Sequence, residues 1–260
     1  MKLFNYVRDY FPASLIKTAD LDPNKNYLIT IHPHGVFSMG SFLNFATEST
    51  SFSEKFPNIK PHLLTLSQTA RFPFWREFSV SLGMLSCSEK SIKCILENET
   101  EPVKEKGQAA CLLIGGLSEQ YLSAQNEYNM FIKTRKGFVR IALETGTSIV
   151  PAISFGENDT YKTKPLDSFI IRTLEWIFKN LCCSARYRSP IFHGRWFSIV
   201  PYRKRLTMVI GKPIEVEKIQ KPTDEQINDL RELYIKELTR LFEDHKSNCS
   251  DEANSKFVVY

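Results

Sequence analysis

Five short apolar runs punctuate the chain, at Tyr27–Ile31, His62–Leu66, Ala109–Ile114, Ile149–Phe155 and Leu206–Ile210. Several are near-continuously apolar rather than alternating, which is how strands buried on both faces read. Between them the apolar spacing changes to three and four residues. Ser88–Asn98 sets Ile92, Ile95 and Leu96 on one helical face. A second helix does the same with Phe138, Ile141 and Ala142, and Gly146 stands where a left-handed C-terminal cap belongs. After Pro222, the segment Thr223-Asp224-Glu225-Gln226 makes a capping box, and Ile227, Leu230, Leu233, Tyr234, Leu241 and Phe242 follow as an apolar stripe suited to packing. Strands alternating with helices predict an α/β layered domain, with a central mixed or parallel sheet flanked by helices. There is no internal repeat and no low-complexity linker, so residues 1–260 are expected to form one domain, with residues 247–260 as a frayed polar tail.

Charge and cysteine content narrow the setting. The 34 basic against 29 acidic side chains leave +5, too little to argue for nucleic acid but suited to an anionic small ligand or a membrane surface. Six cysteines show neither a C-x-x-C pair nor zinc-ligand spacing, so reduced thiols and a cytosolic setting are expected, with Cys111 a small core residue. The sequons at Asn98, Asn158 and Asn248 point the other way. The opening MKLFNYVRDYFP is too short and polar for a signal peptide. No uncharged apolar run approaches the ~18 residues of a membrane span. The nearest, Phe169–Cys183, is broken by Arg172, Glu175 and Lys179. It reads either as an interfacial amphipathic helix, with Ile177 and Phe178 on its apolar face and Cys182 and Cys183 at its end, or as a helix packed on the sheet.

Three segments carry candidate chemistry. Ile31-His32-Pro33-His34-Gly35 directly follows an apolar run, and strand ends facing a crevice are where open α/β sheets hold their sites. Its two histidines suit metal ligation, a base with a structural partner, or polar positions at a turn. Only five histidines exist and nothing nearby completes a coordination shell, so no metal is predicted. Leu112-Leu113-Ile114-Gly115-Gly116-Leu117-Ser118-Glu119 runs a buried strand into a double glycine and an acid. Unhindered N–H groups there can face an oxyanion, and the acid can hold a histidine tautomer or an acceptor hydroxyl. A tight turn with a surface glutamate is the plainer alternative. Arg135-Lys136-Gly137, with Lys133 and Arg140, sets cations at a helix start. This is either an anion site that suits the phosphates of coenzyme A or a solvated basic face.

Taken in order, Tyr10-Phe11-Pro12, His32-Pro33-His34-Gly35, Gly115-Gly116-Leu117-Ser118-Glu119, Arg135–Asn158, Phe192-His193-Gly194-Arg195, Val200-Pro201-Tyr202 and Gly211-Lys212-Pro213-Ile214 resemble the type-2 diacylglycerol and monoacylglycerol acyltransferase family, collinearly from about Arg8 to Lys246. The resemblance implies a glycerolipid-acyltransferase-like fold and transfer of an acyl group from acyl-CoA to an acylglycerol or long-chain alcohol. It makes His34 the catalytic base, with His32 and Glu119 as its partners. Gly35, Gly115 and Gly116 become oxyanion candidates, and Arg135, Lys136, Gly137 and Arg140 the acyl-CoA contacts. Acyl-CoA is then a co-substrate, and no cofactor is called for. Further partners are a neutral-lipid acceptor and a membrane surface or lipid droplet, at the cytosolic face of the endoplasmic reticulum; a homo-oligomer is compatible. No covalent intermediate is needed, so neither Cys87 nor Cys111 is assigned as nucleophile.

There are departures from the family pattern. The chain starts just after the family's hydrophobic hairpin would end, Leu117 replaces a small residue, and Ser81–Glu89 carries leucine and glutamate where glycine and arginine are expected. Related glycerolipid acyltransferases follow their histidine with an aspartate at fixed spacing, and none follows His34. These departures leave two competing readings: a non-catalytic lipid-binding paralogue, and a thioesterase in which water replaces the alcohol.

Overall fold

The computed structural model describes residues 2–67, 74–97, 106–164, 191–249 and 256–260. Asn98 and the segment Phe169–Cys183 lie outside the described residues. In chain order the elements are α1 (Lys2–Tyr10), β1 (Ser14–Lys17), β2 (Tyr27–His32), α2 (Met39–Phe45), α3 (Phe52–Lys55), β3 (Lys60–Thr65), α4 (Trp75–Ser81), β4 (Leu85–Ser86) and α5 (Glu89–Glu97). There follow β5 (Gln108–Leu113), α6 (Gly116–Tyr121), β6 (Glu127–Met130), α7 (Gly137–Thr145), β7 (Ser148–Phe155), β8 (Lys162–Lys164), β9 (Ile191–His193), β10 (Thr207–Ile210), α8 (Asp224–Cys249) and β11 (Lys256–Val259). Seven strands form one sheet in the order β1-β10-β7-β2-β5-β3-β4. All neighbours are parallel except β10, which runs antiparallel to β7, so the sheet is mixed.

The five apolar runs are β2, β3, β5, β7 and β10, shifted by at most two residues. Their continuity has a simple cause. From β2, Tyr27, Ile29 and Ile31 enter a cluster with Phe45, Phe52 and Phe56 on one face, while Leu28 enters the opposite cluster with Ile141, Tyr234 and Phe242. Burial on both faces removes the period-two alternation. Helix α7 ends at Gly146 with φ 67°, and the capping box closes both ways. The Thr223 N–H donates to Gln226 Oε1 at 2.9 Å and the Gln226 N–H to Thr223 Oγ1 at 3.3 Å. Leu233 departs from the predicted stripe and is 44% exposed, because it sits ~100° around the helix from fully buried Tyr234.

The frayed tail is also corrected. Residues Ser247–Cys249 continue α8, and β11 pairs in parallel with β6, placing Phe257 against Phe242 with 4.8 Å between ring centroids. The alternation of Phe257 and Val259 with more exposed neighbours gives this short strand one apolar face to bury. Among the described residues no helix is long and apolar enough to cross a membrane.

Candidate active site

Strands β7, β2 and β5 are parallel neighbours, with Ile31 opposite Leu113 and Ala152, so the segments that follow them leave the sheet at one edge. That edge gathers His34, Gly115–Glu119 and Glu157. Glu119, in α6, turns its carboxylate back toward β2. Its Oε1 accepts from His32 Nδ1 at 2.6 Å and from the Phe131 N–H at 2.9 Å, and its Oε2 accepts from the His34 N–H at 3.0 Å. His32 and Glu119 are both completely buried. A carboxylate withdrawn from water persists only when donors surround it, and these three supply them. Gly115 leaves room for this arrangement, since a Cβ there would stand 1.8 Å from Glu119 Cδ.

The His34 ring is only part-buried, and its protonation follows from its neighbours. Nδ1 lies 3.0 Å from the Gly35 carbonyl oxygen, which can only accept, so Nδ1 carries the hydrogen. Ser38 Oγ, 3.2 Å from the same nitrogen, directs its own hydrogen to the His34 carbonyl at 2.7 Å. The lone pair therefore sits on Nε2, as a general base requires. Burial lowers the His34 pKa below its ordinary value, opposed by the Gly35 hydrogen bond and the Glu119 charge, so the ring is neutral at pH 7. Glu119 thus holds His34 through its backbone and through His32. The Gly35 carbonyl, and not Glu119, sets the tautomer of His34.

Glu157, read in the sequence only as the end of a signature block, proves central to the same turn. Fully buried after β7, it accepts from the Met39 and Gly40 N–H groups at 2.6 and 2.8 Å and from Ser154 Oγ at 2.8 Å. Its Cγ would lie 2.6 Å from a Cβ on Gly35, whose φ is 59°, so only glycine fits there. Burial pushes its pKa up to about 7 against those three donors. Two buried carboxylates therefore clasp residues 34–40, Glu119 at the start and Glu157 at the end. An acid just past an apolar run was the available signal for Glu157, as it was for Glu119. Tyr234, read as stripe packing, also lies near the site: its ring centroid is 6.3 Å from that of His32.

The cationic segment is less free than its sequence suggests. Arg135 turns inward and donates to the Gly115 carbonyl at 3.2 Å and to Ser118 Oγ at 3.1 Å. Lys136 pairs with Asp224 at 3.0 Å and Arg140 with Glu89 at 2.7 Å. These two pairs are solvent-exposed and individually weak, ~0–1 kcal/mol, so a polyanion can displace them. Gly137 opens α7 beside them, exposed. Asn158, in one sequon, is buried and donates to the Glu127 carbonyl at 2.6 Å.

The fold has a solved counterpart. The 1-acyl-sn-glycerophosphate acyltransferase of Thermotoga maritima superposes with a TM-score of 0.52 over 95% of this chain and 80% of that one, at 11% identity, a likeness of fold. Sequence places the chain more closely. A family model described as diacylglycerol acyltransferase matches residues 1–259. The chain is 40% identical to diacylglycerol O-acyltransferase 2 of Dictyostelium discoideum, over 99% of its own length and 77% of that protein. It is 38% identical to 2-acylglycerol O-acyltransferase 1 of Bos taurus, over 98% and 76%. To acyl-CoA wax alcohol acyltransferase 1 of Homo sapiens it is 35% identical, over 98% and 78%. The chain belongs to the diacylglycerol acyltransferase family.

Proposed function

We propose that this protein transfers a fatty acyl group from acyl-CoA to the hydroxyl of a mono- or diacylglycerol, with His34 as base. The observation that carries the mechanism is the His34 turn itself, its ring protonated on Nδ1 and its backbone clasped by Glu119 and Glu157. The acceptor oxygen attacks the thioester carbonyl while its proton passes to His34 Nε2. The tetrahedral oxyanion is received by backbone N–H groups, for which Gly35, Gly115 and Gly116 are the candidates. The C–S bond then breaks, the imidazolium returns its proton to the sulfur, and coenzyme A leaves as a thiol. His32 and Glu119 are completely buried and act by positioning rather than on substrate. Lys136, Gly137 and Arg140 are the proposed contacts for the coenzyme A phosphates, and Arg135 holds the Gly115–Ser118 turn behind them.

A neutral-lipid acceptor partitions into membranes, which supports a working site at the cytosolic face of the endoplasmic reticulum or on lipid droplets. The experiment is transfer from labelled oleoyl-CoA by the purified chain to monoacylglycerol, diacylglycerol and a long-chain alcohol, with products resolved. Ester formation by the wild type and its loss in a folded His34→Ala variant, by about 10²–10⁴-fold, are expected. Undiminished turnover in His34→Ala refutes the mechanism. Fatty acid released without any acceptor makes the protein a thioesterase, and a preference for the long-chain alcohol moves it to wax-ester synthesis.

A further inference from the structure

Residues 195–205 read Arg-Trp-Phe-Ser-Ile-Val-Pro-Tyr-Arg-Lys-Arg, four cations with no carboxylate around an apolar centre. In the fold this stretch is a loop whose backbone is tied down. The Gly194 N–H donates to the Ser198 carbonyl and the Arg195 N–H to the Val200 carbonyl, each at 2.7 Å. Tyr161 Oη donates to the Ile199 carbonyl at 2.9 Å, and Tyr10 Oη to the Pro201 carbonyl at 2.6 Å. The side chains nevertheless point away from the protein: Trp196 is 77% exposed, Phe197 85% and Ile199 79%. Trp196 and Phe197 adopt φ of 52° and 55°, a left-handed conformation that bulky residues rarely take. An ordered loop that holds three large apolar side chains in water, at a steric cost, has a surface to meet.

The charge around the tip indicates what that surface is. Arg195 lies over the Trp196 ring at 4.5 Å, and Arg203 and Arg205 are exposed behind it. Aromatic and aliphatic groups projecting ahead of a cationic collar match a bilayer interface, with the rings among acyl chains and the cations at anionic headgroups. A path leads inward from the tip. Phe197 stacks on His193 at 4.8 Å, adjacent Phe192 meets Phe37 edge-on at 5.1 Å, and Phe37 is three residues beyond His34.

We propose that the Trp196–Val200 loop inserts into an anionic lipid surface and sets that surface at the mouth of the His34 site, so that the acceptor passes along Phe192 and Phe37 without crossing water. This rests on the reading of the acceptor as a membrane-borne lipid. The test is flotation of the full chain with phosphatidylcholine vesicles, with and without phosphatidylserine, for the wild type and for Trp196→Ser/Phe197→Ser/Ile199→Ser. The wild type floats, more strongly with phosphatidylserine and less in high salt, and the triple variant loses about tenfold or more of its binding. A Trp75→Phe/Trp176→Phe chain leaves Trp196 as the sole tryptophan, and its emission, excited selectively over tyrosine, shifts to the blue when vesicles are added.

In the triple variant, transfer to vesicle-borne diacylglycerol falls, while transfer to a short-chain, water-dispersed diacylglycerol is unchanged. Equal flotation of variant and wild type, or Trp196 emission that vesicles leave unmoved, overturns the proposal. So does a self-association that the triple variant abolishes without any vesicle binding. If neither chain transfers acyl groups to either acceptor yet flotation depends on the loop, the docking surface stands and the acyltransferase reading fails.

Discussion

Replacing Glu119 with glutamine tests the link between the buried carboxylate and the base. The carboxylate accepts three bonds, from His32 Nδ1, the Phe131 N–H and the His34 N–H. An amide has one accepting oxygen. With that oxygen toward His32 and Phe131, its NH2 group confronts the His34 N–H, donor against donor. One charge-assisted bond disappears and a buried donor is left unsatisfied, a loss of about 1–3 kcal/mol. The group released is the backbone of the proposed base, so the loss is felt where His34 would meet the attacking hydroxyl. Converted at ~1.36 kcal/mol per factor of ten, kcat falls roughly 5- to 150-fold. The acyl-CoA KM stays close to wild type, because the completely buried Glu119 side chain offers no atom to that substrate. Steady-state kinetics at saturating acceptor, with thermal melting alongside, separate the two parameters from stability. Glu119→Ala orphans all three donors and lowers the melting temperature further. A Glu119→Gln enzyme with wild-type kcat, or one whose whole defect lies in KM, refutes the reasoning.

Burial lowers the His34 pKa, so the acid limb that belongs to His34 in kcat/KM lies below the ordinary histidine value of 6.5, apart from any change near pH 7 as Glu157 takes up a proton; a profile with no limb below 6.5 contradicts this. Removing Lys136 and Arg140 together raises the acyl-CoA KM by roughly 10- to 150-fold, from ~1.5–3 kcal/mol of charge-assisted phosphate contact, with little change in melting temperature because their present partners are exposed. Arg135→Ala acts differently and lowers kcat, since Arg135 braces the Gly115 carbonyl and Ser118; isothermal titration with coenzyme A distinguishes the two classes.

Much of the molecule was legible in the linear order of residues. Doubly buried strands leave continuous apolar runs, so β2, β3, β5, β7 and β10 could be placed to within two residues, and the α8 cap is written in Thr223 and Gln226. The short helices α2, α3, α4 and α6 were not foreseen, because four to seven residues make about two turns at most, too few for a periodicity to emerge. Strand β11 reads as fraying along the sequence because its partners in β6 lie 129 residues upstream and only their pairing makes its apolar face useful. For the site, His34, His32, Gly115 and Glu119 were nominated from local chemistry and a family resemblance. Tertiary structure decided their geometry: Glu119 reaches His32 and the His34 backbone, and the Gly35 carbonyl sets the tautomer. It also brought Glu157 onto the Met39 N–H of the same turn from 118 residues away, turned Arg135 onto Gly115 and Ser118, and paired Lys136 and Arg140 with Asp224 and Glu89. Propensity and periodicity act over a few residues and can be read along the chain. Which carboxylate meets which N–H depends on strand order and register, and those exist only once the sheet has formed.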